Sequence, residues 1–212
     1  MEVDLLEKGD IDTEREPEDR QVDVLAVLFG SKARATVVRF FMLDPRRAYY
    51  QRQVEVATGL PIRAVQRELE RLSEIGLLYR RSEGNRAYYQ VDVQYPLFSD
   101  LRHLVLKTST PMQRLRGALA GDEDVRQAFL NEETGEVLAV TLSGRKPIGT
   151  VPEGYRVQAL SSEEFVQRLQ RRDSEIGVFL SEGLDILGRR DDVIWGRIEA
   201  AGYVVRKGEG IP

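Results

Sequence analysis

The stretch from Gln51 to Val91 constrains this chain more than any other part of it. Thr58-Gly59-Leu60-Pro61 has the composition of a helix stop and restart, because glycine permits a left-handed C-cap and proline suits a first helical turn. A short helix over Arg52–Thr58, with Val54 and Ala57 inward, leads into it. The helix that follows, Pro61 to Ile75, sets Val65, Leu69, Leu72 and Ile75 at the three-to-four spacing of one buried face. Arg63, Gln66, Arg67, Glu70 and Arg71 then fall on the remaining faces, and Gly76 ends the helix. Leu77–Arg81 and Ala87–Val91 are β-prone, and Ser82-Glu83-Gly84-Asn85 between them is hairpin-turn chemistry. Upstream, the apolar residues predict a short helical turn from Val24, a break at Gly30-Ser31 and a helix over Lys32–Leu43 stopped by Asp44-Pro45.

This order is a helix-turn-helix followed by a wing, and the basic charge coincides with it. Residues 45–90 hold nine Arg, five Glu and no Lys. Guanidinium favours bidentate contact with phosphate or guanine edges over the point charge of an ammonium. The competing role for each arginine is a surface ion pair with Glu68, Glu70, Glu74 or Glu83, worth about 0–1 kcal/mol. Residues 1–23 are the opposite, with ten acidic residues against three basic ones. They lack apolar periodicity and contain Pro17, which predicts a flexible acidic tail.

The run QRELERLSEIGLLYRRSEGNRAYYQVD resembles the winged helix-turn-helix transcriptional regulators. FGSKARATVVRFF, YQRQVEVATGLPIRAVQREL and PLFSDLRHLVLKT extend the likeness over Val24 to Thr108. It is similar to the bacterial and archaeal subgroup whose winged helix precedes a minimal nucleotidyltransferase-like domain. The resemblance implies sequence-specific binding of double-stranded DNA, with the third helix in the major groove. Arg63 and Arg67 are then candidates for guanine, Gln66 for adenine and Ala64 for a thymine methyl. Arg52 and Arg71 are placed for phosphate, while Arg81 and Arg86, with Asn85 at the tip between them, reach the minor groove or its backbone. It also implies a homodimer through the Lys32–Leu43 helix and a helix over Pro96–Lys107, which sets Leu97, Leu101, Leu104 and Val105 on one side. Tyr49-Tyr50 and Tyr88-Tyr89 are expected to pair across the small sheet rather than stack on bases, and His103 to pack or sit at an interface rather than bind metal.

Thr110-Pro111 marks a boundary, giving an acidic tail at 1–23, a DNA-binding domain at 24–109 and a small α/β domain at 110–212. In the last, the pattern predicts helix 112–120, an edge element near 125–130, strands 137–142 and 155–160, and helices 162–172 and 174–181. Strand 184–187 and helix 191–201 complete it. Ser161 and Glu164 have capping-box spacing, and Gly144 in SGRKP is a loop glycine. ALSSEEFVQRLQRRD and FLSEGLDILG resemble the tail of the minimal nucleotidyltransferase fold, so the whole is α+β. Such enzymes carry Gly-Ser and then an Asp-x-Asp pair that holds magnesium. Here Asn131-Glu132-Glu133-Thr134-Gly135 stands in place of Gly-Ser, and the strand VLAVTLSG has no carboxylate. Glu132, Glu133 and Glu136 read as solvated turn residues. The domain is expected to be a non-catalytic relic kept for assembly or for sensing a small-molecule or protein effector.

With no Cys and one His, the chain has no disulfides, thiolate metal centres or thiol nucleophiles, and no cofactor is expected. No apolar run approaches the ~20 residues of a membrane span and the N-terminus is acidic, so a cytoplasmic protein without membrane contact is expected. The rival function is a nucleotidyltransferase steered by a DNA-binding arm, or a toxin–antitoxin component. A third reading is a protein-interaction module, since winged helices also bind proteins.

Overall fold

A computed structural model describes residues 23–212, so the acidic tail at 1–22 lies outside the described residues. Asp23, counted with that tail in the sequence, belongs to the folded chain. Its carboxylate accepts from the Ala26 amide at 3.4 Å, capping the first helix, and from Arg39 at 2.8 Å. Among the described residues there are nine helices and two sheets, an α+β arrangement.

The first core gathers on α2 (Lys32–Leu43), which packs against α1 (Val24–Leu28), α3 (Gln51–Thr58), α4 (Ile62–Glu74) and α5 (Phe98–Lys107). Seven residues of α2, from Ala35 to Leu43, are buried, and Lys32 is the one exposed residue of the helix. This corrects the expectation that α2 offers a dimer face: its apolar residues face the interior of its own chain. α5, the other helix expected at a dimer contact, differs from its predicted pattern too, since Leu97 is exposed just before its start while Val105 is buried against the core. Gly59 ends α3 in the left-handed conformation, φ 66°, and its amide bonds to the Glu55 carbonyl at 2.9 Å. Pro61 is then the N-cap of α4 and Ile75 its C-cap, so the helix is one residue shorter at each end than the predicted Pro61 to Ile75.

A three-stranded antiparallel sheet in the order β1 (Tyr49–Tyr50), β3 (Arg86–Val91), β2 (Leu78–Glu83) closes this core. Tyr49 pairs with Tyr89 and Tyr50 with Tyr88, as expected. Alternation along the strands puts Tyr49 and Tyr89 into the core and Tyr50 and Tyr88 on the outer face. The hairpin turn is tighter than the four residues predicted. Ser82 and Glu83 stay in the ladder, leaving Gly84-Asn85 as a two-residue loop with Gly84 at φ 59°.

The second region holds α6 (Pro111–Ala120), β4 (Val125–Asn131), β5 (Glu136–Thr141), β6 (Arg156–Ser161), α7 (Ser162–Gln170), α8 (Ser174–Ser181), β7 (Leu184–Asp185), α9 (Val193–Ala200) and β8 (Arg206–Lys207). The mixed sheet runs β6-β5-β4-β7-β8. One face, with Phe129, Leu138 and Val140, packs on Phe165, Ile176, Phe179 and Trp195 of the three following helices. The other, with Ala128, Leu130 and Val137, packs on Leu115 and Leu119 of α6. The expected edge element is therefore the central strand. Arg126 and Gln127 give it an edge-like sequence, but both find partners inside the fold: Gln127 donates to the Arg189 carbonyl at 2.7 Å, although its own Oε1 accepts from nothing, and Arg126 donates to Asp192 at 2.7 Å. The short β8 has no sequence signal of its own. Ser161 caps α7 through the Glu164 amide at 3.1 Å, but the Glu164 carboxylate turns to Arg168 at 2.6 Å instead of closing the box.

The two regions meet where α2 packs on α6, with Gly117 against Leu43 and Leu106, and along polar contacts. Arg46 donates to the Gly121 carbonyl at 3.1 Å and pairs with Glu123; Arg47 donates to the Gly188 carbonyl at 2.6 Å and to Asp191 at 3.0 Å. Behind them Asp44, fully buried, accepts from the Tyr49 hydroxyl at 2.7 Å. Burial and the Asp44 carboxylate together push the Tyr49 phenol far above its ordinary range, so it remains a proton donor. No helix among the described residues is long and apolar enough to cross a membrane.

Candidate functional site

The outer face of α4 follows from its periodicity. Val65, Leu69 and Leu72 are buried, which turns Arg63, Gln66, Arg67 and Glu70 to solvent and leaves Ala64 half-buried. Arg63 and Arg67 lie one helical turn apart and form no salt bridge with any described residue. Gln66 donates to Glu70 at 3.0 Å, so its amide is oriented along the helix. Two residues differ from the predicted pattern. Ile75 is exposed, because it caps the helix after the last buried turn. Glu68, predicted as an outward ion-pair partner, is buried and accepts from Arg34 of α2 at 3.0 Å and from Arg71 at 3.1 Å.

The structure divides the nine arginines of the basic block into three groups. Arg46 and Arg47 are committed to the second region. Arg71 is tied to Glu68 and Arg52 to Glu55 at 2.7 Å, so both candidate phosphate contacts are held by a carboxylate on their own helix. Arg63, Arg67, Arg80 and Arg86 have no salt bridge to a described residue, and Arg81 has only a 3.5 Å contact with exposed Glu83. Arg80 stands out only once the register is known: it emerges on the hairpin face where Leu78 and Val91 meet the core, opposite Arg81.

On the other hairpin face Arg86 lies over the Tyr50 ring at 4.8 Å and Arg81 over Tyr88 at 5.6 Å. The two rings meet edge to face, 5.9 Å apart. A guanidinium stacked on a ring keeps its N–H groups in its own plane, free at the rim for an anion. The tyrosine pair thus holds two exposed arginines in place, and Asn85 is exposed at the tip between the strands.

In the second region Glu132, Glu133 and Glu136 are exposed at the β4–β5 turn, with Glu136 near Arg156 at 3.4 Å. Among the described residues no three His, Asp or Glu side chains gather in a metal-holding group. His103 is exposed on α5 rather than packed. No protein-family profile, curated protein or solved structure matches this chain.

Proposed function

We propose that this protein is a sequence-specific double-stranded DNA-binding transcriptional regulator built on a winged helix-turn-helix, with α4 entering the major groove and the β2–β3 hairpin lying on the backbone or in the minor groove. One observation carries this reading. The outward face of α4 presents Arg63 and Arg67 without carboxylate partners, while the other α-helical arginines of the basic block, Arg52 and Arg71, are paired on their own helices. Unpaired guanidinium groups one turn apart suit bidentate readout of guanine, and the ring-stacked Arg81 and Arg86 suit phosphate. Gln66 and Ala64 lie on or beside the same face. Arg52 and Arg71 keep a phosphate role through the guanidinium N–H groups that their glutamates leave free.

In this reading residues 110–212 assemble or sense rather than transfer nucleotides. The buried strand β5 carries Val137 to Thr141 where the resembled enzymes place their paired aspartates, which supports it. Homodimerisation, if it uses α5, involves its exposed side and not α2. Selection of bound sequences from random duplexes, followed by gel-shift titration, tests the proposal. A recovered consensus bound far more tightly than random duplex is expected; equal binding of all sequences or none overturns it.

A further inference from the structure

A cleft of about 700 Å³ opens between α5, α6 and the loop 145–152, where the two regions of the chain meet. Its charges do not cancel. Of the lining acids, Asp122 accepts from Arg145 at 2.8 and 3.1 Å and from the Ile148 and Asp124 amides, and Glu123 is paired with Arg46. Two further arginines, Arg102 and Arg114, meet no carboxylate among the described residues. Arg102 donates only to the Gly117 carbonyl at 3.0 Å and the Met42 carbonyl at 3.4 Å, and Arg114 to the Ser109 carbonyl at 3.0 Å. Both are partly buried, and burial together with neighbouring Arg46 lowers the Arg102 pKa. Uncompensated charge in a half-dry cleft is unfavourable, and an anion there relieves it.

The geometry is held by close approach. A side chain at Gly121 would stand 2.4 Å from the Arg102 guanidinium, and one at Gly149 would stand 2.8 Å from Ala118 on α6. His103 adds a further polar edge, and Leu106, Ala118, Ile148 and Pro152 make the rest of the wall apolar. Ile148 is 82% exposed, an apolar side chain beside the cleft with little protein covering it.

We propose that this cleft binds an organic carboxylate, its head on Arg102 and its apolar body along Leu106, Ile148 and Pro152. The size falls within the range of small-molecule sites, and apolar walls with a few convergent polar groups are their usual composition. The site joins α5 of the first region to α6 and the 145–152 loop of the second, and it stands whether or not α4 reads DNA.

Calorimetric titration of the full chain with octanoate, octanamide and inorganic phosphate tests this. Saturable octanoate binding is expected, with octanamide weaker by about tenfold or more because it lacks the charge-assisted hydrogen bonds. Arg102→Gln and Ile148→Glu should each weaken octanoate by about tenfold, the first by removing the cation and the second by placing a like charge on the apolar wall. Their melting temperatures report whether the fold is kept; Ile148→Glu, at an exposed position, should melt as the parent does. Absence of saturable octanoate binding, equal binding of octanamide, or octanoate binding indifferent to both variants overturns the proposal. Phosphate binding as tightly as octanoate would also overturn it, because the apolar wall would then contribute nothing.

Discussion

Arginine is used differently on the outer faces of α4 and the hairpin and at the seams of the second region. Around α4 and the hairpin, Arg63, Arg67, Arg80 and Arg86 are exposed without carboxylates, and where they are held it is by tyrosine rings. In the second region the same residue type cross-links the fold: Arg126 to Asp192, Arg145 to Asp122 and Asp124, Arg190 to Asp185 while lying 4.3 Å over Trp195. The difference lies in whether an acid arrives from elsewhere in the chain. The segments that carry Asp122, Asp185 and Asp192 bring them onto these arginines, whereas the outer surface of α4 faces solvent.

That contrast predicts a ranked series of effects. The largest is in the second core, where Phe129 is fully buried beside Phe165 and Trp195. Phe129→Ala should cost about 3–5 kcal/mol in chemical denaturation. Asp122→Ala comes next, at about 2–3 kcal/mol, reduced because Arg145 keeps part of its solvent exposure. Burial alone would raise the Asp122 pKa, but Arg145 and two backbone amides outweigh it and hold the carboxyl below its ordinary 3.8. This contribution is therefore present above pH 3.8 and lost as pH falls through the lower folded value. Acid-denaturation curves of parent and variant should converge below that range; a constant gap would show that the charge is not what stabilises.

Effects in the first region should appear in binding and not in melting. Arg67→Ala should weaken the selected duplex by ~1–3 kcal/mol and relax one base position, with the melting temperature unchanged. Unchanged affinity and base preference would remove Arg67 from the readout. Arg81→Gln and Arg86→Gln should act more evenly, weakening all duplexes alike and reducing the salt slope by about one each. The smallest effect concerns the acidic residues 1–22. Deleting them, while keeping the capping Asp23, should raise affinity for random duplex at low salt more than for the selected site, and the gain should vanish as salt rises. Identical salt titrations would show that these charges do not compete with DNA.

Much of the first region is legible in local sequence because its signals are local. Gly59 and Pro61 punctuate, Val65, Leu69 and Leu72 repeat, and Gly84 turns the chain, each acting over a few residues. These patterns determine the elements, their order and which arginines of α4 point outward. They do not determine which charges remain free. Glu68 sits on the helix face between Val65 and Leu72 and reads as surface until Arg34, from a helix far upstream, closes on it. Arg46 and Arg47 belong to the basic block by composition but to the second region by contact. β4 reads as an edge because its polar residues find their partners some sixty residues later. Hydrophobic spacing is a property of neighbours in the chain, whereas the pairing of a buried or seam charge depends on neighbours in space, and for those only the tertiary structure decides.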